Sequence, residues 1–498
     1  VINYGRLDDY LGPYLVADLE SGRLTDEEAY RYIHSLWTMI ENRRTTVNGR
    51  IIVGGKGRKH PKEADVFLHI AMKVAKNCRY VEPQFTLRFD KETSEEIWDE
   101  ALDALGAGAT YPTLYNDDVN VPAVMYGMRV DEKTAEQYVP FGCTEFVIQG
   151  QSTGTPNICI NLLKLLTIYM NDGIDPIDGK RKSGPVPLKK LEEYQTFEEF
   201  YDGYKALLDY YLDLSVKAQY HSYEVMNQHV SFLFTSLLTD DCIARGKALL
   251  DGGVRYLGGT NETYGNINTS DSLWVIRDLV FNQKKYTLRQ LNDAMLANFN
   301  GYEALRKDCL NCDKYGNDLE TADTMANDLY EFVAKGVRNR GIAIGMQYFL
   351  IVISNNQLNT EGGNRTAASP DGRLSCMYMN PANNPQGGAN KSGPTAMLNS
   401  LAKFDAKYHG GSVQNIKFSP SMFNENRAVI KSLFKTYFAK GGCHLMVTVV
   451  DKGVLEDAVE HPENYPDLIV RVSGFSAVFV DLSPNIQQEL LSRVLYDK

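Results

Sequence analysis

Two short segments of this 498-residue sequence combine residue types and spacings that can do chemistry. In Phe141-Gly-Cys143-Thr-Glu145-Phe a thiol and a carboxylate stand two residues apart. Side chains of an extended segment alternate between faces, so Cys143 and Glu145 are expected to project into the same space. Such a pair presents a thiol and a carboxylate side by side, although a buried structural cysteine beside an edge carboxylate fits the same pattern. The second segment, Arg471-Val-Ser-Gly474-Phe-Ser-Ala477, sets a glycine between two β-type runs. Taken alone it reads as a tight turn, where the chain needs positive φ or a close backbone approach.

Three other motifs invite different chemistry. Gly150-Gln-Ser152-Thr-Gly154 matches the nucleophile elbow of serine hydrolases, with a β run before it and an apolar helix expected after it. His221, His229, His409, His444 and His461 lie downstream, but no His-Gly-Gly-Gly segment precedes it, which leaves a hydrolase at Ser152 as a minor alternative. Cys309-Leu-Asn-Cys312 has zinc or redox spacing but no second Cys/His pair nearby, so two reduced thiols are expected. Gly54-Gly-Lys-Gly-Arg-Lys59 lacks the Gly-Lys-Ser/Thr order of a phosphate cradle and reads as a surface turn. No His-Glu-x-x-His cluster offers ligands to a catalytic metal.

The elements that must position these residues leave local signals. Capping boxes at Thr25–Glu28, Thr93–Glu96 and Thr287–Gln290 mark helix starts. An amphipathic run over 197–245 predicts a two-helix outer layer whose aromatic stripe faces the core. Short β-type runs are read at 84–89, 146–149, 341–354, 444–450, 468–472 and 477–481, and their alternation with helices predicts an α/β fold. The Gly/Asn/Pro-rich stretch 355–394 is expected to be a functional or mobile loop. No repeat and no clean linker divides the chain, which is read as one domain.

Composition narrows the partners. Hydrophobic residues at 43% and charged residues at 23% are ordinary for a globular protein. A net charge of −11 without a basic cluster argues against nucleic acid and anionic lipid, and no apolar run reaches the length of a membrane span. The eight cysteines, without the dense spacing of a secreted scaffold, predict reduced thiols in a cytoplasm. The opening Val1 and Tyr4-Gly-Arg-Leu-Asp-Asp-Tyr10 read as the middle of a structured protein, so an N-terminal portion is expected to be missing.

Taken together, the two segments resemble the glycyl radical enzymes of the pyruvate formate-lyase-like superfamily. The stretch from Pro466 through Val-Ser-Gly474-Phe-Ser to Arg493 looks like that family's radical loop, and Gly142-Cys143-Thr-Glu145 is similar to its thiyl motif. Weaker matches are Tyr111-Pro-Thr-Leu-Tyr-Asn-Asp117, Ser369-Pro-Asp-Gly-Arg373, Gly393-Pro-Thr395 and Gln414-Asn-Ile-Lys-Phe-Ser-Pro420. The resemblance implies a ten-stranded α/β barrel of two antiparallel five-stranded halves, with the Cys and Gly loops meeting inside. In it 1–450 would form the barrel portion with the Cys loop and 451–498 the radical-loop region of one catalytic domain. It further implies a radical stored on Gly474, a thiyl radical on Cys143 and Glu145 as general acid or base. No bound cofactor is implied. The radical would be installed after synthesis by a partner activating enzyme carrying S-adenosylmethionine and an iron–sulfur cluster. A homodimer in the cytoplasm of an anaerobic prokaryote and a small-molecule substrate complete the picture.

The residue chemistry is consistent with that resemblance. A backbone carbon radical is stabilised by its flanking amides when the site can flatten, and only glycine has no side chain to clash or fragment. A neutral buried thiol can relay hydrogen between that carbon and a substrate. Pyruvate formate-lyase uses two adjacent cysteines, whereas Gly142 and Thr144 flank Cys143 here, so its thioester chemistry is not expected. The Cys-x-Glu form resembles the dehydratase and lyase branch, and dehydration by C–O cleavage is the leading expectation. Alternatives are a C–S or C–N lyase, an arylacetate decarboxylase, or an inactive homologue or fragment with a structural role. Diol dehydratases carry an Asp downstream of the Cys motif, but residues 146–170 contain no acidic residue, which argues against a simple glycerol or propanediol enzyme.

Overall fold

The structure, a computed structural model, describes residues 3–44, 49–154, 156–353 and 357–497. Val1, Ser354 and Asn355, named above at the chain start, the end of a β run and the head of the long loop, lie outside the described residues. The architecture is mixed α/β, and the chain divides into two compact units, Val1–Ser152 with Gly410–Lys498, and Thr153–His409.

The first unit begins with four parallel strands, β1 (Asn3–Arg6), β2 (Arg50–Gly54), β3 (Phe85–Phe89) and β4 (Thr113–Asn116). Helices connect them, including Pro61–Asn77 between β2 and β3 and Glu95–Gly106 between β3 and β4. Every residue of β2, β3 and β4 is buried. A parallel sheet covered on both faces shows no alternation of polar and apolar residues, so only β3 stood out in the sequence. The capping box at Thr25 forms as expected, with Thr25 Oγ1 accepting from Glu28 N–H and the Glu28 carboxylate accepting from Thr25 N–H. The expected box at Thr93 does not form. Thr93 Oγ1 accepts from Asp90 N–H, and Ser94 caps the helix by accepting from Ile97 N–H. An antiparallel hairpin follows, β5 (Tyr138–Phe141) and β6 (Glu145–Ile148).

The second unit carries three parallel strands, β7 (Pro156–Asn161), β8 (Gly258–Tyr264) and β9 (Tyr348–Ile353). The run 197–245 forms one 33-residue helix, Phe197–His229, then two short helices, Leu233–Leu237 and Cys242–Arg245, rather than two long ones. Positive φ at Ser231 and Phe232 ends the long helix. Its Phe200, Tyr204, Leu208 and Leu212 enter the unit's core, as the aromatic stripe predicts. Residues 341–343, read as β from sequence, close the helix Glu320–Ala343, and β9 starts only after Gly345 turns the chain at φ +93°. In the long irregular stretch, 366–373 and 379–385 are buried. There Arg373 donates to the carbonyls of Gly363, Thr366, Ala367 and Met377, and Asp371 accepts from Asn268. This stretch is ordered by a polar network rather than left free.

The chain crosses the unit boundary in β10 (His409–Ser412) and continues through β11 (Asn415–Phe418) and β12 (His444–Val449). β12 pairs antiparallel with β4 and parallel with β11, giving the sheet order β1-β2-β3-β4-β12-β11. Two parallel runs thus meet at one antiparallel junction. The last strands, β13 (Ile469–Arg471) and β14 (Ser476–Val478), form a separate antiparallel hairpin. It is packed in a small hydrophobic cluster drawn from residues 450–491, among them Leu455, Val470, Phe475, Phe479 and Leu490.

Candidate active site

The residues singled out in the sequence come together at the tips of two hairpins of the first unit. The β5–β6 register pairs Phe141 with Glu145, so Gly142, Cys143 and Thr144 form the turn. Gly142 has φ +53°, a conformation that favours glycine. Cys143 and Glu145 therefore do not share a strand face, as their spacing suggested; the thiol sits in the turn and the carboxylate opens β6. The two still converge, because the Glu145 side chain folds back over the turn. Its Oε2 accepts from Thr144 N–H at 2.9 Å and would lie 2.8 Å from a β-carbon on Gly142. Cys143 and Glu145 are each 5% exposed. Burial lifts the Glu145 pKa above its ordinary value, opposed by the backbone N–H groups of Thr144, Glu145 and Cys143 and by the Arg50 guanidinium.

The second hairpin brings Gly474 to the same point. Val472 N–H donates to Phe475 O at 2.9 Å and leaves Ser473 and Gly474 as a two-residue loop, with Gly474 at φ +84°. A β-carbon on Gly474 would lie 2.3 Å from Cys143 Cβ, 2.7 Å from its Cα and 2.9 Å from its Sγ. No side chain fits there. The Gly474 α-carbon, one bond of about 1.5 Å further back, packs directly against the cysteine. Gly411 makes a third close approach, since its β-carbon would lie 2.3 Å from Thr144 O.

Several largely buried residues hold this meeting point, and Arg50, Arg88, Thr110 and Tyr138 among them lie outside every motif quoted above. Arg50 Nη2 donates to Gly142 O at 2.8 Å and to Cys143 O at 3.4 Å. Arg471 Nη1 donates to Ser476 Oγ at 3.0 Å, Ser476 Oγ lies 2.8 Å from Thr110 Oγ1, and the Arg471 guanidinium stands 4.9 Å from the Tyr111 ring centre. Arg493 Nη2 donates to Val472 O at 2.6 Å while pairing with Glu489 at 2.7 Å. At the base of the first hairpin, Arg88 and Asp117 form an ion pair of 2.7 Å with both side chains 0% exposed, and Tyr138 OH donates to Asp117. The Tyr115 ring, edge-on to His444 at 4.6 Å, buries a hydroxyl that has no hydrogen-bond partner among the described residues. Burial pushes the Tyr111 pKa up to about 12 and raises that of Tyr115 as well. Their signal in sequence is faint, because buried arginines and tyrosines in strands carry no spacing rule.

The remaining motifs are structural. Ser152 Oγ accepts from Ile148 N–H at 2.8 Å, and strand β7, not a helix, follows it, so the strand-to-helix context of an elbow is absent. Cys309 and Cys312 are free thiols whose pKa values burial pushes up to about 12 and about 11. The glycine run after β2 is more than a surface turn. Gly54 is buried, and β-carbons on Gly54 and Gly55 would lie 2.4 Å from Arg88 O and 2.3 Å from Asp117 Oδ2. Among the described residues one group could offer three metal ligands, His69 with Glu96 and Glu100. It joins two helices and so leaves no sequence motif. No helix of the described residues is long and apolar enough to cross a membrane.

Comparison with known proteins gives concordant matches. The family model for pyruvate formate lyase-like proteins matches residues 1–357, and the glycine radical model matches residues 379–480. Trans-4-hydroxy-L-proline dehydratase of Clostridioides difficile is 29% identical over 506 residues, covering 98% of this chain and 64% of the relative. (2S)-3-Sulfopropanediol dehydratase of Klebsiella oxytoca is 27% identical over 518 residues, covering 99% of this chain and 62% of the relative. The solved glycerol-bound B12-independent glycerol dehydratase of Clostridium butyricum superposes with a TM-score of 0.90 at 28% identity, covering 100% of this chain and 64% of that one. The chain thus spans a little under two thirds of the length of these relatives. The structural likeness shows that the chain has the mixed α/β fold of that enzyme.

Proposed function

Because the chain belongs to the pyruvate formate lyase-like family of glycyl radical enzymes, we propose that the full-length protein is a glycyl radical dehydratase in which Gly474 stores the radical, Cys143 relays it and Glu145 moves the proton. The observation that carries this reading is the contact between Gly474 and Cys143, residues 331 positions apart in sequence (474 − 143), with no room for a β-carbon between them.

The steps balance without a further reactant. The Gly474 radical takes the hydrogen of Cys143, forming a C–H bond and a thiyl. The thiyl takes a hydrogen from a substrate carbon that bears a hydroxyl or amino group and lies next to the carbon with the leaving hydroxyl, and restores its S–H bond. Glu145 accepts a proton from that hydroxyl or amino group, the neighbouring C–O bond breaks, and the proton leaves with the departing hydroxide as water. The product-related radical takes the hydrogen back from Cys143, and Gly474 returns the relay to its stored state. Burial serves the steps: it excludes water from the radicals and raises Glu145 toward the working pH, where proton transfer is most effective.

The substrate is proposed to be a small hydroxylated molecule other than a plain diol, in keeping with the absence of acidic residues in 146–170. Trans-4-hydroxy-L-proline and sulfopropanediol, named for two relatives, are the first probes. The activating enzyme with S-adenosylmethionine and an iron–sulfur cluster, the homodimer, the cytoplasmic location and the single catalytic domain over 1–498 belong to the same proposal, supported by the family. The test is anaerobic electron paramagnetic resonance after activation, then air exposure and mass spectrometry. A doublet signal and oxygen-dependent cleavage at Gly474 are expected. An activated protein with neither would refute the assignment.

A further inference from the structure

Arg50 opens β2 and is 2% exposed. Its amino groups donate to neutral oxygens: Thr86 Oγ1 at 2.9 Å, Gln84 Oε1 at 2.5 Å, Gly142 O at 2.8 Å and Cys143 O at 3.4 Å. A buried guanidinium held by neutral acceptors gives up hydration without a contacting counter-charge, which is unfavourable unless its geometry is needed. Arginine's planar fork can hold acceptors on two sides at fixed angles, which a lysine ammonium cannot. Here one arm is seated on the sheet, at Thr86 of β3, and the other reaches the turn that carries the thiol. Thr86 Oγ1 is itself 2.9 Å from Thr113 Oγ1 of β4, so the anchor extends across three strands.

We infer that Arg50 is a positioning residue for Cys143, fixing the tip of the β5–β6 hairpin through the Gly142 and Cys143 carbonyls so that the thiol stays against Gly474. Gly142 turns the chain at φ +53°, and Arg50 Nη2 donates to the carbonyls of both Gly142 and Cys143 in that turn. The inference rests on the radical relay proposed above and adds to it the residue that keeps the relay in register.

The relay can be read without knowing the substrate. A glycyl radical keeps one α-hydrogen, whose coupling splits the resonance signal into a doublet. In D2O the thiol becomes S–D. It gives its deuterium to the Gly474 radical, and the thiyl then removes the remaining hydrogen as S–H, so the doublet collapses. Full-length protein is activated anaerobically and transferred to D2O as wild type, Arg50→Met and Arg50→Lys. Since a misplacement of about 1 Å can slow a reaction about 10²-fold, Arg50→Met is expected to reach wild-type radical yield but to collapse about 10- to 100-fold more slowly. Arg50→Lys, which keeps one cationic donor, is expected to recover part of the rate. Thr86→Val, which unseats the other arm, serves if Arg50→Met does not fold, with slower collapse expected again. Collapse at the wild-type rate in the folded variants overturns the role of Arg50 alone. A wild-type doublet that never collapses overturns the relay itself.

Discussion

At the scale of single residues, the site is defined by what each position excludes. Gly474→Ala would press a β-carbon into Cys143 and hold alanine in a left-handed conformation, which costs about 1 kcal/mol before any clash. No radical signal and a lower thermal transition are expected. Cys143→Ser fits the same space, so its glycyl radical signal should be normal in size while deuterium exchange and turnover vanish; an active serine variant would remove Cys143 from the relay. For Glu145→Gln, turnover is expected to fall about 10²–10⁴-fold, the usual contribution of a general acid or base. Glu145 must be ionised to act as base and its pKa is raised, so the acid limb of the wild-type rate profile should lie above the ordinary carboxylate range. The sign of the stability effect follows. The folded state holds this proton more tightly than the unfolded chain, so the stabilisation is full at low pH and is lost as pH rises through the raised value. The glutamine variant should lack that loss in pH-dependent denaturation. The meeting of Gly474, Cys143 and Glu145 was legible in the sequence only through the resemblance of their two motifs to a known family, since spacing alone also fitted a tight turn and a structural cysteine. Arg50 and the backward fold of Glu145 were not, because both depend on where a turn's carbonyls and amides point.

At the scale of elements, two hairpins do the positioning and each is braced by an arginine. Arg493, 12% exposed, ends the helix Pro484–Ser492 and reaches back to the carbonyls of Arg471 and Val472 while holding Glu489, 2% exposed. Removing one partner of such a pair leaves a buried charge, a loss of about 3 kcal/mol or more. Arg493→Ala should therefore speed amide hydrogen exchange in 469–478 while leaving exchange in β2 to β4 unchanged; protection equal to wild type would show that the brace carries no load. Helix starts were readable where a hydroxyl and a glutamate or glutamine sat three apart, at Thr25 and Thr287. At Thr93 two adjacent hydroxyls competed, and Ser94 took the cap. The parallel strands β2 and β4 were hidden because wholly buried strands do not alternate.

At the scale of the whole molecule, storage and installation of the radical make opposite demands. Gly474 is buried, yet under the proposed function an activating enzyme would have to reach its α-hydrogen. The hairpin that carries it packs its apolar side chains in a small cluster drawn from residues 450–491 and is tied beyond it by polar contacts, Ser476 with Thr110 and Arg471 with Met446, so its opening would break those ties rather than a strand pairing of the six-stranded sheet. The expected outcome is that hydrogen exchange across 450–490 is faster than in the core of the second unit, and that the rate of activation follows this opening when mild denaturant is added. The α/β class and the family were legible because Gly474 and Cys143 lie in recognisable motifs at distant positions. The division into two units was not, since no change of composition marks residue 152 or 410.

That division also sets an order of events at the ribosome. The first unit is built from the two ends of the chain, with the second inserted between them. Cys143 therefore emerges long before Gly474, and at about 5–20 residues per second the 331-residue interval lasts roughly 15–70 s. Throughout that interval the cysteine turn has no hairpin to lean on, and a truncated chain never acquires one. A nascent or prematurely ended polypeptide cannot bring Cys143 and Gly474 together, so under the proposed function translation itself would keep unfinished copies out of radical chemistry.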